Sequence, residues 1–165
     1  MTRLKTLSLL ILKPVELSNW LSEIITALPR IICGFVLTSS FGSDKFGMPW
    51  TADSQNLSLF EVSAWFPGDV AAYGGLFAMF PVFFAWMGAF SEAVGGLFVM
   101  FGFKTRIFSF LIMCTMLVAI FMQKWGQPLW SMLPALGFLW VSLYSLALGS
   151  GRLGLDYIIS KKLKS

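Results

Sequence analysis

Between Tyr73 and Phe103 the only charged residue is Glu92, and an apolar run of that length reads as a helix that crosses a bilayer. Glu92 stands about ten residues from the end of the run, which at ~1.5 Å per residue puts its carboxylate roughly 15 Å below the surface. That is near mid-bilayer, where an ionisable group is costly unless it is paired, protonated or wetted. The rest of the chain must accommodate this group. Glu92 is therefore the first candidate functional residue, with a structural ion pair between helices as the competing reading.

The surrounding composition agrees with a membrane protein. Of 165 residues, 57% are hydrophobic and only 12% charged, which excludes an ordinary soluble domain and leaves room for a single domain, residues 1–165. The net charge of +4 does not point to nucleic acid, because the basic residues lie at span ends rather than in a free basic patch. Histidine is absent and the two cysteines, Cys33 and Cys114, both fall inside spans. The chain alone is expected to bind no metal, haem or iron–sulfur cluster.

Taken in order, residues 1–19 carry Arg3, Lys5 and Lys13 around a short apolar run and read as a basic amphipathic segment on the membrane surface, with Ser18 or Asn19 starting a helix. Spans are expected at about 24–46, 76–101, 107–123 and 129–148, followed by a basic tail, 149–165. In the first span Arg30, Gly34, Thr38 and Gly42 recur every fourth residue on one face, with Lys45 close behind. Small residues on such a stripe admit a neighbouring helix at short range. In the second span Gly88, Glu92 and Gly96 share a face, so the carboxylate is expected to face protein rather than lipid.

The long loop between the first two spans, Gly47 to Ala72, has three acids, no lysine or arginine, and aromatics suited to an interface; Leu57–Phe66 reads as a short helix broken at Pro67-Gly68. Basic residues are concentrated on one side: Arg3, Lys5, Lys13, Lys104, Arg106, Arg152, Lys161, Lys162 and Lys164, against Lys45 and Lys124 on the other. The fold expected is thus an all-α integral membrane bundle of four transmembrane helices, both termini cytoplasmic, the long loop periplasmic. Cys33, Cys114 and Glu92 reach a similar depth, and Arg30 lies about a turn nearer the cytoplasm. An Arg30–Glu92 pair is expected, and a Cys33–Cys114 redox pair is a weaker alternative to two small core residues.

Several short motifs occur in a telling order. Leu28-Pro29-Arg30-Ile31 precedes Gly34 and Gly42-Ser43-Asp44-Lys45-Phe46; Glu92-Ala93-Val94-Gly95-Gly96 precedes Gly102-Phe103-Lys104-Thr105-Arg106. Met116-Leu117-Val118-Ala119 follows, and Gly149-Ser150-Gly151-Arg152-Leu153-Gly154-Leu155-Asp156 closes the series. In these the chain resembles the DoxX family, small four-helix bacterial membrane proteins, over about Ala27 to Tyr157. Two departures are a glycine, Gly154, where the family pattern has serine, and Gln123-Lys124-Trp125 where many relatives carry a histidine. Histidine-dependent chemistry does not transfer.

The resemblance implies membrane redox chemistry. DoxX and DoxD name subunits of a thiosulfate:quinone oxidoreductase, while other relatives look like anchors for soluble thiol or oxidative-stress enzymes, accompany metal-stress operons, or serve methylamine dehydrogenase maturation. On this reading Glu92 accepts or relays a proton, Arg30 and Lys45 set its field and steer anionic sulfur substrates, and a quinone is the cofactor expected. The chain is at most a non-autonomous enzyme subunit in the inner membrane. Its expected partners are the lipid bilayer, a soluble oxidoreductase subunit on the cytoplasmic side and, as an alternative, further copies of itself in a homo-oligomer. The competing reading is a non-catalytic anchor that recruits a soluble partner through Lys104–Arg106 and Arg152–Asp156. A transporter fits less well, since no inverted repeat is visible.

Overall fold

Asn19 opens the first long helix: its side-chain oxygen accepts the N–H of Ser22 at 2.7 Å, satisfying a donor that a helix start leaves orphaned. The computed structural model describes residues 11–164, so Arg3 and Lys5 of the expected surface segment lie outside the described residues. Within them, Pro14 is buried and Val15 N–H donates to Leu148 O at 2.8 Å, so this stretch packs on the bundle.

Helix α1 runs Trp20–Val36 and continues through a widened π-type turn, Leu37–Gly42. It begins and ends about four residues earlier than the sequence suggests. After the loop come two short helices, α2 (Phe66–Ala71) and α3 (Gly75–Met79), then α4 (Pro81–Phe101). The expected span from 76 is split because Phe80, preceding a proline, is held out of the helical region at φ −133° and ψ 56°. Helix α5 (Thr105–Val118) ends in a second widened turn, Ala119–Gln123, and α6 spans Leu129–Leu148, as the sequence suggests. A final amphipathic helix, α7, covers Leu155–Lys164. Four segments are long and apolar enough to cross a membrane: Trp20–Gly42, Pro81–Phe101, Thr105–Gln123 and Leu129–Leu148.

The helix expected over Leu57–Phe66 is not formed. That stretch instead returns as a hairpin against the end of α1, bridging Phe46 to Val62, with Ser63 N–H donating to Lys45 O at 2.9 Å. The helix starts at Phe66 and runs through Pro67-Gly68, because a proline in the first turn lacks only an N–H that would have no partner there.

Helices α1 and α4 pack antiparallel at backbone distance. A Cβ added to Gly34 would lie 2.7 Å from Gly96 O, and one added to Gly42 only 2.5 Å from Ala93 Cα. Between them the Thr38 hydroxyl donates to Ala93 O. The every-fourth-residue stripe of α1 is thus the contact face, and Gly96 contributes from the other side. Toward the loop end of the bundle, Phe46, Phe66, Val70, Ala85, Ala89 and Ala93 form one core; Leu37, Val99, Ile112, Met116 and Phe138 form a second, joining α1, α4, α5 and α6. Gly42→Val is expected to lower stability by about 1–3 kcal/mol. Gly137→Ala, whose added Cβ meets nothing within 4 Å, should not. Denaturant unfolding in detergent distinguishes the two.

Candidate functional site

The antiparallel register decides which cation meets Glu92. With Gly34 opposite Gly96 and Gly42 opposite Ala93, Glu92 comes level with the far end of the α1 segment, where Lys45 stands. Lys45 Nζ lies 2.6 Å from Glu92 Oε2, with 18% and 6% of the two side chains exposed. The ammonium also sits 5.3 Å from the centre of the Phe66 ring, a cation–π contact. Lys45 is positioned by the hairpin: Ser63 binds its carbonyl by backbone N–H and the neighbouring Asp44 carbonyl by side chain, at 2.9 Å each.

The expected Arg30–Glu92 pair is therefore corrected to Lys45–Glu92. Arg30 stands about two helical turns from Glu92, level with the other end of α4. Its guanidinium donates to the carbonyls of Val99 and Met100 in the last turn of α4, where helix carbonyls run short of N–H donors; Val99 O also accepts the Gly102 N–H at 3.1 Å. The flexible lysine stem covers the remaining distance that a depth count along the sequence assigns to no residue.

The pair forms one wall of a cavity of about 240 Å³ between α4, α5 and the loop helices. Its lining is mostly apolar and aromatic, Phe66, Tyr73, Phe77 and Phe84 among it. Polar groups converge at one place: beside Lys45 and Glu92, Ser91 Oγ and Thr115 Oγ1 lie 2.5 Å apart, and Gln123 stands farther along α5. Such a cavity, apolar with a few placed polar groups, has the character of a small-molecule site. Ser91, Thr115, Tyr73 and Gln123 were not legible as site residues. Ser91 adjoins Glu92, and Thr115 lies one residue after Cys114, but a lone hydroxyl in a helix carries no signal of its own.

The structure does not bring the two cysteines together. Cys33 lines a small gap against Phe138 and Ser142 of α6, while Cys114 lies at the large cavity, and both thiols are free.

The remaining motif residues build a polar clasp at the opposite end of the bundle. Asp156 accepts the backbone N–H groups of Lys104 and Thr105 at 2.7 and 2.9 Å, capping α5 from across the chain, while its own N–H donates to Gly102 O at 2.9 Å. Arg106 donates to Leu146 O at 3.2 Å and Ala147 O at 3.3 Å near the end of α6. Glu23, not singled out in the sequence, is buried there and accepts the N–H groups of Leu17 and Arg152 at 2.8 and 2.9 Å. Gly151 must stay small because a Cβ there would sit 2.7 Å from Glu23 Oε2. Gly95 faces Phe108 and Ile112 of α5 at ordinary contact distance.

The sequence model of the DoxX family matches residues 25–125, well over half of the chain. The chain belongs to the DoxX family. The matched segment contains Lys45, Glu92 and the cavity helices, and the closing motif of the DoxX resemblance, Gly149–Asp156, falls beyond it. No curated protein matches this DoxX chain, and no solved structure does.

Removing either partner of the buried pair, by Lys45→Met or Glu92→Gln, is expected to cost several kcal/mol, up to about 5, and the double variant to regain most of it. Adding Arg30→Met to Glu92→Gln should give no such recovery. Unfolding midpoints of the wild type and the four variants test this.

Proposed function

We propose that this DoxX protein is the membrane subunit of a quinone-linked redox complex, in which the cavity holds the quinone ring and Glu92 passes one of the two protons that the ring takes up as two electrons from the partner reduce it to the quinol. The observation that carries the reading is a buried ammonium–carboxylate pair, 2.6 Å apart, in the wall of an otherwise apolar 240 Å³ cavity. A carbonyl oxygen on a bound ring could accept from Lys45 or from the hydroxyls of Ser91 and Thr115, and the aromatic walls suit a flat ring. Glu92 would take or give the proton through the pair, with Lys45 offsetting its charge.

The electron donor belongs to a soluble partner. We place that partner at the clasp end, where Lys104, Lys161 and Lys162 are exposed, and assign that end to the cytoplasm of a bacterial inner membrane. The same exposed lysines favour a second reading, a non-catalytic anchor for a soluble oxidoreductase. The two separate on quinone. The subunit reading expects the purified chain to bind decylubiquinone and the fold-competent Lys45→Met/Glu92→Gln variant to bind about tenfold more weakly or worse. Equal binding by the two proteins, or none by the wild type, overturns it, and a soluble protein then retained through Lys104, Lys161 and Lys162 supports the anchor.

A further inference from the structure

The cavity has a side opening. Cys114 lies near the middle of α5, one of the four apolar segments, and it is both exposed and part of the cavity lining. Phe83 of α4, also lining the cavity, is 59% exposed. An exposed residue at the middle of a spanning segment, as Cys114 is, faces hydrocarbon; Phe83 stands two residues into α4, so the exposed wall runs from the loop side of the span down to the lipid-facing level of Cys114. Along α5 the lining recurs from Leu111 through Thr115 and Ala119 to Gln123, about three turns or roughly 18 Å of helix, so the space is elongated along the bundle. Its polar groups, the Lys45–Glu92 pair and the Ser91–Thr115 hydroxyls, meet α5 at Thr115, next to Cys114.

We propose that the cavity is loaded from within the bilayer, through a lateral doorway at Cys114 and Phe83. Its ligand is a membrane-dissolved amphiphile: a compact head that accepts hydrogen bonds at the Lys45–Glu92 level, and an apolar body that lies along α4 and α5 or trails into the acyl chains. A water-borne sulfur anion suits this geometry poorly, since the lining is mostly apolar and the cation in it, Lys45, is already neutralised by Glu92. The inference rests on the preceding reading of the cavity as a binding site, and adds the route and the class of ligand.

Cys114 is a native reporter for the doorway. In the Cys33→Ser protein, reconstituted in lipid nanodiscs, the alkylation of Cys114 is followed with lipid-soluble pyrenylmaleimide and with a sulfonated, membrane-impermeant maleimide; the Cys114→Ser/Cys33→Ser protein gives the blank. The expected result is labelling about tenfold faster by the lipid-soluble reagent, and slowing of that labelling by saturating decylubiquinone. Equal or faster labelling by the impermeant reagent overturns the doorway, as does labelling by neither reagent in the folded protein when both label it after denaturation. Decylubiquinone that binds at equilibrium yet leaves Cys114 labelling unchanged also overturns the doorway while sparing the binding reading. Absence of equilibrium binding removes the binding reading itself.

Discussion

The backbone approach of α1 to α4 is the constraint on which the other features depend. Two helices without water to drive them together gain most from packing at short range, and Gly34, Gly42 and Gly96 permit it. Once those positions are seated the register has little freedom, because a shift by one residue would bring a side chain where a glycine is needed. The register then delivers Lys45 to Glu92 and Arg30 to the end of α4. The ion pair is a consequence of the glycine contact as much as a cause of the fold. Its two charges are tolerable in this setting because each has the other, with an aromatic ring over the ammonium.

The two ends of the bundle use charge differently. At the clasp end Asp156, Arg30 and Arg106 bind backbone N–H and carbonyl groups at helix termini, and Glu23 binds N–H groups of the connecting segments, a demand that is severe wherever water is scarce. At the loop end charge meets charge beside a cavity. Motif residues of the first kind report how the chain closes; those of the second kind report what it can hold.

The sequence made the spans legible because hydropathy and length are set by the bilayer, and it made the α1 contact stripe legible because a four-residue period is a property of one helix. Glu92 stood out for the same reason, as a charge where none is cheap. The partner of Glu92 was not legible, since it depends on the offset between two helices and on the reach of a lysine stem. Nor were Ser91 and Thr115, which become a pair only when α4 and α5 meet, or Glu23, whose burial comes from residues more than a hundred positions away. The loop hairpin escaped because its aromatic spacing fits an interfacial helix, while the backbone bonds from Gly47 to Phe60 and Glu61 settle it otherwise.

The cap that Asp156 places on α5 has a consequence for the order of assembly. A helix normally carries its own cap a residue or two upstream and is complete once synthesised. Here the first turn of α5 waits for a carboxylate about fifty residues later, beyond the last spanning helix. During synthesis three spans can be in the membrane with two amide groups at the α4–α5 turn still seeking partners, and only the arrival of the tail retires them. The closing segment thus acts as a latch, making the finished bundle distinct from any nascent form of itself.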